Sequence, residues 1–107
     1  MATNTFARIE NILKETEVLT PEKREELLAL LEKLQAETAS MDSAQAGNIA
    51  TQAQAAAEHA LRPGHDDAAL QKSLGGLAGS VTGFETSHPR LVQVVNTFCT
   101  VLSNMGI

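Results

Sequence analysis

The residues best suited to metal or acid–base chemistry gather near the middle of the chain. His59 and His65 lie on either side of a Pro-Gly turn, and Glu58, Asp66 and Asp67 are next to them. Imidazole nitrogens and carboxylate oxygens are common ligands of divalent metals. Their spacing matches no metal motif, and the two aspartates stand where a helix start favours negative charge. We therefore expect structural roles here, with no metal and no cofactor.

A nucleophilic cysteine is the other chemical option. Cys99 follows Phe98 on the flank of an apolar helical stripe, where a free thiol behaves as a small hydrophobic group. His88 precedes Pro89 and is expected to cap or pack at a turn. Catalysis would require His59, His88 and Cys99 to converge from three separate elements, so the sequence predicts that the protein is not an enzyme.

The elements that position these residues are helices. The last twenty residues carry no charged side chain after Arg90, and their apolar residues recur at the spacing of one helical stripe. The stripe consists of Leu91, Val95, Phe98, Leu102 and Met105. Flanking valines widen it, so we expect a central helix that packs against neighbours on two sides.

Three helices are predicted before the middle turn. The first spans residues 3 to 17 with Phe6, Ile9 and Leu13 inside, and the second starts at Pro21. The third follows Asp42 and reaches about Leu61. Its inner seam is almost entirely alanine, and we expect it to bury little area and to fray or rearrange. That seam consists of Ala46, Ile49, Ala53, Ala56 and Ala60.

A fourth helix is predicted from about Asp67 to Phe84. Its inner stripe repeats at intervals of four and three residues, like that of the last helix, so the two should form a hairpin. We predict an all-α fold with a single domain over residues 1 to 107. This domain should be a bundle of four or five helices, with the hairpin of residues 67 to 105 as its spine.

Two surfaces of this hairpin are expected to pack against another helix or another chain. Gly75, Gly79 and Gly83 stand four residues apart opposite the leucine stripe, with Gly76 beside them. Internal glycines weaken a helix, so we expect another backbone to pack closely on them, either the alanine seam of the third helix or a second chain. The alternative is a kinked helix with tolerated glycines.

The second surface is the outer face of the last helix, which lacks the Lys and Glu of a typical solvated helix. It consists of Gln93, Asn96, Thr97, Ser103, Thr100 and Asn104. Depletion of charge is typical of an interface core, so we interpret this face as a self-association surface. The alternatives are that the first or third helix covers it, or that it is plainly exposed.

Composition argues against nucleic acid and membranes as partners. The net charge is −5 and only eight residues are basic, which argues against nucleic acid. No apolar run is long enough for a membrane span. One cysteine and the absence of a predicted secretory signal favour the cytoplasm.

The chain also resembles a bacterial family of short proteins, domain of unknown function 4404. The similarity lies in Phe84 to Leu91, in the ending Val101 to Ile107 and in the segment that starts at Leu19. It covers about half the chain, and the Ala- and Gly-rich middle departs from it. The resemblance implies a bacterial cytoplasmic protein and no catalytic residue.

Together these observations predict a protein–protein interaction module that forms homo-oligomers, most simply dimers, through its C-terminal helix. Another protein is a further possible partner, through the small-residue faces. The alternative is a small-molecule or metal-binding regulatory domain that uses a cavity between the third and fourth helices.

Overall fold

A computed structural model describes residues 2–17, 19–61 and 67–105 of the chain. The described residues form five α-helices and one short 3-10 helix, without a strand among them, which confirms the all-α prediction. The α-helices are α1 (Ala2–Glu15), α2 (Pro21–Thr38), α3 (Ser43–Leu61), α4 (Asp67–Ser80) and α5 (Pro89–Met105), and the 3-10 helix is Thr82–Phe84.

Local capping explains where α2 and α3 begin. The Thr20 hydroxyl accepts a hydrogen bond from the Lys23 backbone amide at 3.2 Å, and Pro21 occupies the first turn, as predicted. Before α3, an Asp42 carboxylate oxygen accepts a bond of 3.5 Å from the Ala44 amide. Both starts follow from side chains within a few positions of the helix.

Two long-range hydrogen bonds from one arginine side chain join α1 to α2. The Arg24 guanidinium donates from Nε to the Leu13 carbonyl at 3.0 Å and from Nη2 to the Thr16 carbonyl at 2.6 Å. These carbonyls belong to the end of α1, where a cation also meets the negative end of the helix dipole. Arg24 therefore fixes the turn between the two helices.

The alanine-rich α3 lies at the centre of the bundle. It packs against α1, α4 and α5, and eight of its residues are buried. The predicted seam is confirmed, but the expectation that this helix would bury little and fray is not what the structure shows: it runs without interruption from Ser43 to Leu61. Short side chains let three helices approach it closely, so small contacts add up on several sides.

The α4–α5 hairpin is present, and α5 contacts α2, α3 and α4, which confirms neighbours on more than one side. The predicted end of α4 at Phe84 is wrong. The α-helix stops at Ser80, and Val81 (φ −110°, ψ 0°) leads into the 3-10 helix. Gly79 and Gly83 lower helix propensity in this segment, so the tighter turn competes successfully. Val81 still reaches the core.

Candidate interaction surface

The outward face of α5 is open to solvent. Gln93, Asn96, Thr97, Thr100 and Asn104 are all exposed, and Ser103 is half-buried. This excludes the alternative in which α1 or α3 covers the stripe. After Arg90 in its first turn, α5 therefore presents a helix surface without a charged side chain on this side, while its opposite side fills the core.

The hydroxyl groups of the two threonines on this face already donate hydrogen bonds within α5. Thr97 Oγ1 donates to the Gln93 carbonyl and Thr100 Oγ1 donates to the Asn96 carbonyl, each at 2.9 Å. Such bonds to the preceding turn satisfy the hydroxyl within the helix. Further hydrogen-bond donors on this face are the Asn and Gln amides and the Ser103 hydroxyl, and the threonines contribute chiefly their methyl groups.

The glycines of α4 also face outward. Gly75 and Gly79 are exposed, as is Gly83 in the 3-10 helix after α4, and a Cβ added at any of them would meet no described atom within 4 Å. Only Gly76 faces a neighbour, where an added Cβ would lie 2.7 Å from the Gln52 side-chain oxygen of α3. The prediction that the glycines pack on the alanine seam of α3 within the chain is therefore wrong.

The reason is the rotation of α4 about its axis. Its buried side, Leu70, Leu74 and Leu77, serves both neighbours, α3 and α5. The opposite side is left to solvent. Close packing between chains is the part of the glycine prediction that stays open.

The structure brings the two predicted surfaces together in one groove between α4 and α5. The groove has a volume of about 380 Å³. Gln71, Gly75 and Ala78 line it from α4, and Thr100, Ser103 and Asn104 line it from α5. Among the described residues no charged side chain contributes to its lining, so Gly75 and the outer face of α5 are neighbouring parts of one neutral surface.

A second groove flanks α5 on its other side, against α2, and has a volume of about 430 Å³. Gln93, Asn96 and Thr97 line it from α5, and Leu30 and Lys33 line it from α2. The outer face of α5 thus runs between a fully neutral groove and one with a lysine at its edge.

A third groove, between α1 and α2, is larger, at about 550 Å³, and has Glu10, Glu25 and Glu32 in its lining. Its acidic character fits the solvated face expected for α2. These three grooves lie between other helix pairs than α3 and α4, the pair for which a small-molecule cavity was predicted.

The structure gives less information about the histidine and acidic residues considered above as metal ligands. His65 and Asp66 lie outside the described residues, and His59 is half-buried near the end of α3. Within the described part of the chain, no three His, Cys, Asp or Glu side chains come close enough to share a metal ion. His88 packs edge-on against the ring of Phe84, with centroids 5.9 Å apart, at the hairpin turn, as predicted.

Cys99 lies half-buried at the floor of the α4–α5 groove, with Sγ 3.8 Å from the Leu74 carbonyl oxygen. Burial disfavours the thiolate and raises the pKa of this thiol to about 11. The thiol is therefore protonated at neutral pH, opposite to what a nucleophilic cysteine requires.

Comparison with known proteins identifies no relative: no family model matches the chain, and neither the curated proteins nor the solved structures contain a significant match. In the described ranges, no helix combines the length and apolar character needed to cross a lipid bilayer. The site must therefore be interpreted from its own geometry.

Proposed function

We propose that this protein is a non-enzymatic interaction module that self-associates, most simply as a dimer, through the outer face of α5. The observation that carries the proposal is an exposed face of α5 whose six residues are uncharged, whereas the exposed faces of α1 and α2 carry many charged side chains. Interface cores are depleted of charged residues relative to ordinary surface.

The distribution of charge supports a homomeric contact. After Lys72 only Glu85 and Arg90 carry a charged side chain, although the chain as a whole has eight basic and thirteen acidic residues. Two copies with a net charge of −5 each repel one another, and the repulsion is strongest where carboxylates would meet. The six residues of the outer face of α5 are uncharged, so they can meet their own copies without opposing like charges.

The rest of the proposal follows from the chemistry of the described residues. The protonated, half-buried Cys99 argues against a nucleophilic role for this thiol. A single cysteine fits the cytoplasm, which the sequence predicts as the compartment. A different protein is the second partner class, because a neutral face with exposed amides suits a heteromeric contact as well.

The test is the molar mass in solution, measured by light scattering behind a sizing column over a range of concentrations. We expect a dimer or higher oligomer in the wild type and a monomer in the double variant Thr97→Glu/Thr100→Glu, because four carboxylates would be placed in each dimer interface.

Thr51→Glu is the matched control, since Thr51 is also an exposed threonine, on α3. We expect this control to keep the wild-type mass. A wild type that stays monomeric over the whole range, or a double variant that associates as the wild type does, would show that this surface assignment is wrong.

A further inference from the structure

We infer that the second copy docks on the α4 side of α5, so that the neutral groove between α4 and α5 meets the same groove of its partner about a two-fold axis. This inference rests on the self-association proposed above and specifies which of the two grooves beside α5 is used. The result would be two layers, in which the α4–α5 pair of one copy stacks on the α4–α5 pair of the other.

Charge distinguishes the two grooves. In a two-fold symmetric contact each residue near the axis lies close to its own copy, so any charge there meets an identical charge. The groove on the α2 side includes Lys33 in its lining. The α4–α5 groove has no charged residue in its lining. Of the two grooves beside α5, this is the one whose lining can meet its own copy without a like-charge pair.

The shape of α4 points the same way. Gly75 lines the groove and has open space where a side chain would stand. A glycine inside a helix costs about 1 kcal/mol relative to alanine, and no contact among the described residues makes use of the missing side chain here. A partner helix lying over Gly75 would use that space, because a wall without a side chain lets another backbone come close.

The polar groups of the groove suit a copy of themselves. Gln71 and Asn104 carry amides, which both donate and accept hydrogen bonds and can therefore pair with identical groups. Thr100 offers its methyl group, since its hydroxyl proton is bonded to the Asn96 carbonyl. The surface thus combines apolar contact with self-complementary hydrogen bonding.

An isosteric pair of substitutions tests which groove is used. Asn104 lines the α4 side and Asn96 the α2 side, and both are exposed asparagines of α5. We expect Asn104→Asp to weaken the dimer at least about tenfold in sedimentation equilibrium, because each dimer gains two facing carboxylates. Asn96→Asp should change the dissociation constant by less than about threefold.

A steric pair provides an independent measurement. Gly75→Leu should abolish the dimer by filling the groove, while the open space around Gly75 lets the monomer fold. Gly47→Leu is the control, because Gly47 in α3 has equally open space and lies outside the groove. Circular dichroism at low concentration verifies that both variants keep their helices.

The outcomes separate this inference from the proposed function. If Asn96→Asp weakens the dimer as much as Asn104→Asp or more, or if Gly75→Leu dimerises normally, the choice of groove is wrong while self-association stands. A wild type that never associates overturns both. Selective loss in Asn104→Asp and Gly75→Leu supports both.

Discussion

Replacing the outward-facing glycines of α4 by alanine should make the monomer more stable. Gly75 lies inside α4, where an added methyl group would meet no atom within 4 Å, and Gly79 has the same open space in the last turn. Alanine restricts the unfolded backbone and is the best helix former, so the substitution gains helix stability without a steric cost.

The expected size follows from position and surroundings. Gly75→Ala should raise the free energy of unfolding by about 1 kcal/mol, and Gly79→Ala by less, because helix ends contribute less than helix interiors. Gly76→Ala should gain less than Gly75→Ala, since its Cβ would lie 2.7 Å from the Gln52 Oε1 atom and that side chain must move away. In a Gln52→Ala background the full gain at Gly76 should return.

The measurement is urea denaturation followed by circular dichroism, at a protein concentration low enough for the monomer to dominate. For a domain of this size, a gain of about 1 kcal/mol corresponds to a rise of about 4–8 °C in Tm. A lower stability for Gly75→Ala would refute the outward orientation of this side of α4. Equal gains for Gly75→Ala and Gly76→Ala would refute the contact with Gln52.

Two further predictions concern single side chains. Since the pKa of Cys99 is about 11, its alkylation at pH 7.5 should be roughly 100-fold slower than that of a thiol with the ordinary pKa of 9.0. The alkylation rate, measured by stopped flow, should rise with pH until about 11. A rate profile with its midpoint near pH 9 would contradict the burial of Sγ. Arg24→Met should lower the free energy of unfolding by about 1.5–3 kcal/mol, because the carbonyls of Leu13 and Thr16 lose a charged donor. In thermal melts the exposed Arg8→Met is its control, and equal losses in both variants would count against the clamp.

The sequence by itself determined the helices and the neutral character of the C-terminal third. The start of α2 follows from Thr20 and Pro21, and the buried positions of α1 and α5 follow from apolar residues at helical spacing. These features depend on bonds and periodicity within a few residues, so they can be predicted without knowledge of the neighbours. The absence of a charged side chain from α5 after Arg90 is likewise a property of the sequence alone.

Only the tertiary structure decided which surfaces are free and which meet. It turned Gly75 and Gly79 to solvent, placed Gly75 beside Thr100 in one groove and carried Arg24 to the end of α1. Each of these outcomes depends on how a helix rotates about its axis and which helices it touches. The rotation and the neighbours of each helix are set by many weak contacts between residues far apart in the chain, especially around the buried alanines of α3. No local sequence pattern predicts these contacts.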